Sequence, residues 1–363
     1  MYRRAIYPVL QRFDAEQTHE AVLRLLAVVE RVPQLHGLLL RLAAFDDPRL
    51  GVDLWGLHFA NPLGIAAGLD KNAVAVRTWG ALGFGHVEVG TVTPQPQPGN
   101  PRPRVFRLPA DRALINRMGF PGQGAAAISR RLLQSKGRRP IVGVNIGANK
   151  ASVESGRAVE DYLAALTQLY SYADYLTINI SSPNTARLRE LQGRDALEEL
   201  VRQVAARRDQ MALRKPLLIK IAPDLTPADL DDISAVCLAS GVDGIIATNT
   251  TIDRPGSLRE AIKEQTGGLS GAPLRERSTD IIRYLYSNTQ GKLPIIGVGG
   301  VFSAADVFAK LAAGASLAQV YTGFVYEGPL LARRINRDLL RLLRQHGFES
   351  IGQVTGSSAA PAS

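Results

Sequence analysis

From about residue 63 the chain alternates between short apolar runs and longer amphipathic stretches. The runs are LGIAAG (63–68), HVEVGTV (86–92), IVGVNIG (141–147), YLTINI (175–180), LLIKIA (217–222), GIIATN (244–249), PIIGVGG (294–300) and LAQVYTGF (317–324). Several are rich in Ile and Val and too short for helices, as expected of strands buried on both faces. Between them, stretches such as VEDYLAALTQLYSYA, PADLDDISAVCLASG and SAADVFAKLAAG carry apolar residues at helical spacing. Eight strands alternating with helices predict parallel βαβ units, and that number predicts an α/β fold closed into a (β/α)8 TIM barrel. An open doubly wound sheet is the structural rival.

Two segments break the rhythm. PQPQPGNPRPRVFRL (94–108) follows the second strand and is too proline-rich to be helical. TTIDRPGSLREAIKEQTGGLSGAPL (250–274) follows the sixth. Both fall after strands, on the face where barrel active sites are built, and long loops there are usually functional.

Residues 1–50 stand outside the pattern. THEAVLRLLAVVERV and PQLHGLLLRLAAF predict two helices, with Thr18 as N-cap of the first. They hold more Leu and Val than one narrow face needs, with Arg24, Arg31 and Arg41 interspersed. One reading is a helical hairpin packed on the barrel; the other is a pair of interfacial helices whose apolar faces meet lipid. The last residues, GQVTGSSAAPAS, have the composition of a disordered tail. The expected organisation is a helical extension over 1–50, a barrel over 51–346 and a flexible tail over 347–363.

Composition narrows the partners. With 363 residues, 45% of them hydrophobic, the chain has ample core for a barrel plus an extension. A formal net charge of +10 favours an anionic ligand or surface. Aromatic content is only 6% and no dense Lys/Arg block occurs, so nucleic acid is not expected. The lone Cys237 excludes an internal disulfide and a Cys-rich metal site, and its helical setting beside Val236 and Leu238 predicts an inert buried thiol. HExxH, P-loop and zinc-ligand spacings are missing, so no metal is expected. No signal peptide and no membrane span is read from the sequence, which predicts an intracellular protein, soluble or peripheral.

Candidate chemistry gathers at the strand ends. GVGG (297–300) leads through Phe302 and Ser303 into a helix, and Tyr321, Thr322 and Gly323 end the eighth strand. Loops after strands 7 and 8 commonly hold a phosphate, although such glycines also simply shape turns. Lys220 stands inside the apolar run LLIKIA, where an ammonium is costly unless something anionic meets it. An internal ion pair and the N1–C2=O2 edge of a reduced flavin both meet that need. Lys71, at the end of the first strand, is a second cation for a carboxylate, or a partner for Asp70. Asn116, Asn179, Asn184 and Asn249 offer amides that suit the alternating edge of a pyrimidine dione, though loop asparagines are often turn formers. Ser182 lies between two of them, in NISSPNT, with no GxSxG elbow and no His in a neighbouring strand-end motif, so a hydrolase triad is poorly supported.

Taken together, NPLGIAAGLDKN, VEVGTVTPQPQPGNPRPRVFRL, INRMGF, NISSPNT, KIAPDL, ATNTT, QTGGLSG, IIGVGG and QVYTGF resemble the quinone-linked (class 2) dihydroorotate dehydrogenases. The resemblance runs from MYRRAIYPVLQRFDAEQTHE to YEGPLL, about nine-tenths of the chain. It implies oxidation of (S)-dihydroorotate to orotate on FMN in pyrimidine biosynthesis, with a membrane quinone as acceptor. Matched position by position, Ala67, Gly68, Leu69, Asp70, Lys71 and Thr91 would line the flavin, with polar contacts from Asn145 and Asn179. Lys220 would face the N1–O2 edge, Thr248 would sit at the ring, and Gly271, Gly300, Tyr321 and Thr322 would hold the ribityl phosphate. Lys71, Asn116, Arg117, Met118, Gly119, Phe120, Asn179, Asn184, Asn249 and Thr250 would bind orotate. Ser182 matches the catalytic base that takes the C5 proton, with Thr185 and Phe120 along its proton exit. His19, Arg107 and Tyr321 match a quinone site. Cytosolic relatives use a cysteine base and lack the N-terminal helices, so Ser182 and the extension agree on class 2. The resemblance further implies a peripheral protein on the cytoplasmic face of the cell membrane, and a monomer is compatible with it. The helix in YEGPLLARRINRDLLRLLRQ is more basic than that function asks. Two rivals remain: an FMN barrel with a soluble acceptor, and a silent phosphate-binding barrel on a membrane.

Overall fold

Eight parallel strands close on themselves: β1 (Leu63–Ile65), β2 (His86–Val92), β3 (Ile141–Ile146), β4 (Tyr175–Asn179), β5 (Leu217–Ile221), β6 (Gly244–Ala247), β7 (Ile295–Val298) and β8 (Leu317–Val320). Each pairs with its neighbour in sequence, and β8 returns to β1 with Ala318 opposite Leu63 and Val320 opposite Ile65. The closed barrel, rather than the open sheet, is what the computed structural model shows; it describes residues 2–135, 137 and 139–359. The strands read as Ile/Val runs because helices cover them outside and side chains fill them inside. Cys237 is buried on the helix Pro227–Ala239, and burial pushes its thiol up to about 12.

Additions close the two ends. A hairpin, Val52–Leu54 with Leu57–Phe59, covers the end where the strands begin. Its Trp55 ring lies 6.2 Å from Tyr175, and Phe59 stands edge-on to His86 at 5.5 Å. At the other end both long insertions join one antiparallel sheet that sequence periodicity did not reveal. Val105–Leu108 pairs with Ala113–Asn116, which pairs with Gly268–Gly271.

The N-terminal helices are α1 (Ala15–Arg31) and α2 (Pro33–Ala43). α1 begins earlier than Thr18: the Asp14 carboxylate accepts from Glu16 N at 3.0 Å and Gln17 N at 2.9 Å, while the Thr18 hydroxyl donates to Asp14 O within the first turn. Pro33, whose missing N–H costs nothing in a first turn, starts α2. Val22, Leu23, Leu26, Leu39 and Ala43 pack on the core. Leu25, Val28, Leu35, Leu38 and Leu42 stay exposed. Among the described residues no helix is long and apolar enough to cross a membrane.

The C-terminal segment departs from the expected flexible tail. Helix Leu331–His346 buries Leu331, Ile335, Leu339 and Leu343 and turns its arginines outward. Beyond it Ile351 and Val354 are buried in a 3-10 turn, and Gly356 and Ser358 donate to Leu311 O and Ala312 O. Two apolar side chains within a small-residue run suffice to pin it. Residues 360–363 lie outside the described residues.

Candidate active site

The strand ends open into a cleft, and most of the residues singled out in the sequence line it. From β1 and β2 come Ala67, Gly68, Lys71 and Thr91; from the Pro-rich side come Asn116, Met118, Gly119 and Phe120. The loop after β4 supplies Ser182 and Asn184, joined by Asn179 and Lys220 from β4 and β5. Thr248, Asn249, Thr250 and Gly271 follow β6, and Gly300, Tyr321 and Thr322 come from the ends of β7 and β8.

The asparagines form a connected set. Asn179 Nδ2 donates to Thr91 Oγ1 at 2.7 Å and to Asn145 Oδ1 at 3.1 Å, and its Oδ1 accepts from Asn249 Nδ2 at 3.4 Å. Across the cleft Asn184 Nδ2 donates to Asn116 Oδ1 at 3.2 Å. Ser182 is buried, and its Oγ accepts from Asn184 N at 3.3 Å.

Two lysines reach the same space. Lys71 Nζ donates to Gly68 O at 2.6 Å instead of pairing with Asp70, and burial is the main cause that lowers its pKa to about 8. Lys220 is 4% exposed and makes no hydrogen bond or ion pair among the described residues. Burial lowers its pKa, and the Glu88 carboxylate opposes that. A desolvated ammonium that faces a cleft without a partner is a demand for an electronegative ligand.

At the far end of the cleft Gly299, Gly300 and Val301 follow β7, and the N–H groups of Gly300 and Val301 bond to no protein group among the described residues. Gly300 is at φ +69°, and a Cβ there would lie 2.4 Å from Arg275 Cα. Only glycine allows this close turn. The Ser303 hydroxyl caps the helix Ala304–Ala312 internally, so the bare donors are those of the glycine turn.

Four expected residues are not part of the cleft wall. The Asp70 carboxylate is buried and accepts from Val74 N, Ala75 N and Trp79 Nε1, so it shapes the turn after β1. Asn145 sits one layer beneath, behind Thr91 and Asn179. Arg117 lies 4.6 Å over the Phe106 ring and bonds Gln265 and Pro103 O, stapling the two long insertions together. Leu69 faces a second cavity instead.

That second cavity runs between α1 and the barrel. His19, Thr18, Val22 and Leu23 line one side; Arg107, Trp79, Phe324 and Val325 line the other. It shares Val105, Leu114, Met118 and Tyr321 with the first, so the two meet at the Tyr321 ring. Burial, with the Lys71 charge adding to it, lowers the His19 pKa to about 3 and leaves a neutral imidazole. Arg107 Nη1 donates to Phe13 O at 2.7 Å. Sequence reasoning missed Tyr2, Tyr7 and Phe324 here; only their aromatic character near the N-terminus and after β8 marked them.

The model of one protein family, dihydroorotate dehydrogenase, matches residues 49–343. The chain belongs to the dihydroorotate dehydrogenase family. It is 50% identical over 359 residues to the dihydroorotate dehydrogenase (quinone) of Acidithiobacillus ferrooxidans, covering 97% of this chain and 98% of that one. With the enzyme of the same name from Gloeobacter violaceus it is 52% identical over 358 residues, 98% of each chain. The N-terminal helices therefore fall largely within the shared length. Among solved structures, Eimeria tenella dihydroorotate dehydrogenase in complex with ferulenol superposes with a TM-score of 0.88, at 40% identity over 96% of each chain.

Proposed function

We propose that this chain oxidises (S)-dihydroorotate to orotate with FMN as cofactor and a membrane quinone as final acceptor, in de novo pyrimidine biosynthesis. It would work as a peripheral protein on the cytoplasmic face of the cell membrane. The observation that carries this reading is the meeting of two cavities at Tyr321, one carrying Lys71, Lys220 and the asparagine amides, the other more apolar and lined by α1.

The residues present suit FMN. The N–H groups of Gly300 and Val301, with Thr322 and Gly271 beside them, suit a phosphate, and unpartnered Lys220 suits the N1–O2 edge of the ring. FMN, when bound, supplies the acceptor for the hydrogen and electron pair that leave C6 of the substrate. Ser182 Oγ takes the C5 proton, and the C5–H pair becomes the C5=C6 double bond. Lys71 meets the substrate carboxylate, and Asn116, Asn179, Asn184, Asn249 and Thr250 read the carbonyls and N–H groups of the ring. Phe120, at φ +53° in the NRMGF turn with Arg117, Met118 and Gly119, lines the same cleft as the serine, and its ring would limit water there. In the second cavity neutral His19 and cationic Arg107 flank a space that suits a quinone head group next to Tyr321.

The test is the spectrum of the purified protein. A bound flavin that bleaches on anaerobic addition of dihydroorotate is expected; a colourless protein, or a flavin that stays oxidised, contradicts the reading.

A further inference from the structure

A buried acid beneath the cleft has no part in the steps above. Glu88, in the middle of β2, is fully buried. Its Oε1 accepts from Asn145 Nδ2 at 2.8 Å. Its Oε2 accepts from Gln319 Nε2 at 3.1 Å, Tyr175 Oη at 3.2 Å and Thr177 Oγ1 at 3.3 Å. Strands β3, β4 and β8 thus all aim donors at one carboxylate on the barrel axis. No Lys or Arg bonds it among the described residues, and Lys220 supplies the opposing charge. Burying a carboxylate among neutral donors is expensive, and an apolar residue would fill the barrel more cheaply.

With a donor at each of its four contacts, the Glu88 carboxylate serves only as an acceptor. Asn145 must therefore turn its NH2 group down to Glu88 and its Oδ1 up. That oxygen then accepts from Thr91 Oγ1 at 2.5 Å and from Asn179 Nδ2 at 3.1 Å. With its NH2 group committed downward, Asn179 presents its own Oδ1 to the Ser181 hydroxyl at 3.1 Å and to Asn249 Nδ2 at 3.4 Å. Each amide is oriented by the group beneath it, from the barrel floor to the cleft wall.

We propose that Glu88 is a positioning residue, whose acceptor-only carboxylate sets the donor–acceptor direction of the Asn145–Thr91–Asn179–Asn249 chain and so the face this wall shows to the pyrimidine ring. The proposal rests on the FMN and dihydroorotate reading. The chain's length gives a sharp test, because its direction can be broken at the bottom and restored one link higher.

Glu88→Gln keeps size and shape, but its amide can donate as well as accept, so Asn145 is free to turn over. The double variant Glu88→Gln with Asn145→Asp moves the acceptor-only group up one position. The new amide at position 88 would donate to it, and Thr91 and Asn179 would find an acceptor where they do now. The readout is the orotate dissociation constant, taken from the perturbation of the oxidised flavin spectrum, alongside flavin content and Tm. Glu88→Gln is expected to retain flavin and bind orotate about tenfold more weakly, the worth of roughly one misdirected hydrogen bond. The double variant is expected to recover most of that loss. Wild-type affinity in Glu88→Gln, or a double variant no better than the single one, overturns the proposal. Should Glu88→Gln fail to fold, Asn145→Leu cuts the chain while leaving the carboxylate, and unchanged orotate affinity there overturns it equally. A wild-type protein without an orotate-dependent flavin spectrum would instead sink the functional reading.

Discussion

Ser182 is buried and is proposed as the base, so its replacement would isolate the proton step. Ser182→Ala should keep flavin and orotate affinity while flavin reduction slows by about 10²–10⁴-fold, the usual worth of a general base. Stopped-flow reduction near the wild-type rate would remove the serine from the chemistry. Lys220→Ala should loosen the flavin or make its reduction less favourable, since the reduced edge loses its countercharge; a fully flavinated variant with an unchanged midpoint potential would leave Lys220 without that role. On the proposed reading Lys71 would carry the pH dependence. Its pKa is lowered to about 8, so it is charged below that value and loses its proton as pH rises through it. Substrate affinity should therefore fall, and KM rise, above about pH 8, and Lys71→Met should weaken binding and flatten that limb. A KM that ignores pH across this range in the wild type contradicts the assignment. Most of these residues were legible because polar residues at strand ends, or a lysine within LLIKIA, break an apolar pattern. Glu88 breaks HVEVGTV in the same way, yet its signal was shared with any buried acid, and nothing in sequence shows that a carboxylate faces inward rather than out. Asp70 shows the converse: a polar residue at a strand end whose carboxylate accepts from Val74 N, Ala75 N and Trp79 Nε1 and does not line the cleft.

The N-terminal helices join two environments. Glu16 of α1 meets Arg104 at 2.7 Å with both side chains buried, and Glu30 accepts from Arg77 N and Thr78 N, capping the helix Val76–Ala81. Glu16→Ala would leave Arg104 buried and unpaired, which should cost about 3–5 kcal/mol of stability; an unchanged Tm would show that the pair does not anchor α1. On the outer side Leu38 and Leu42 of α2 are 55% and 61% exposed. Leu38→Glu with Leu42→Glu should leave Tm and turnover with a small soluble dye near wild type while vesicle flotation is lost. Equal flotation would make the extension a cap on the barrel. The packed-hairpin reading describes the inner face of these helices, and the interfacial reading is a proposal for the exposed outer one. Alternating Ile/Val runs made the barrel strands legible, because burial on both faces leaves no other pattern. The side sheet was not, since Ala113–Asn116 pairs with Gly268–Gly271 from a distant loop, and neither insertion carries a period. Nor was the packed C-terminus, where Phe348, Ile351 and Val354, with backbone hydrogen bonds from Gly356 and Ser358, hold a run of small residues.

At the scale of the whole molecule the proposed function would divide its work between the two cavities. The cleft at the strand ends holds two lysines and a set of amides, and the space under α1 is more apolar; Tyr321, which belongs to both, marks where electrons would pass. The barrel was legible as a whole because its strands pair in sequence order, whereas the contact between the cavities depends on how α1 lies on the strand Val105–Leu108 and beside the residues that follow β8. On the proposed reading this arrangement would separate reduction by dihydroorotate from re-oxidation by an acceptor arriving through the other opening. The most direct test is a double-mixing experiment under anaerobic conditions. The full chain is first reduced with one equivalent of dihydroorotate, then mixed with vesicles carrying a long-chain quinone, and flavin absorbance is followed. Rapid, complete and saturable re-oxidation is the result expected. A flavin that dihydroorotate reduces, that stays reduced with the quinone, and that a soluble acceptor such as NAD⁺ or fumarate re-oxidises would contradict it.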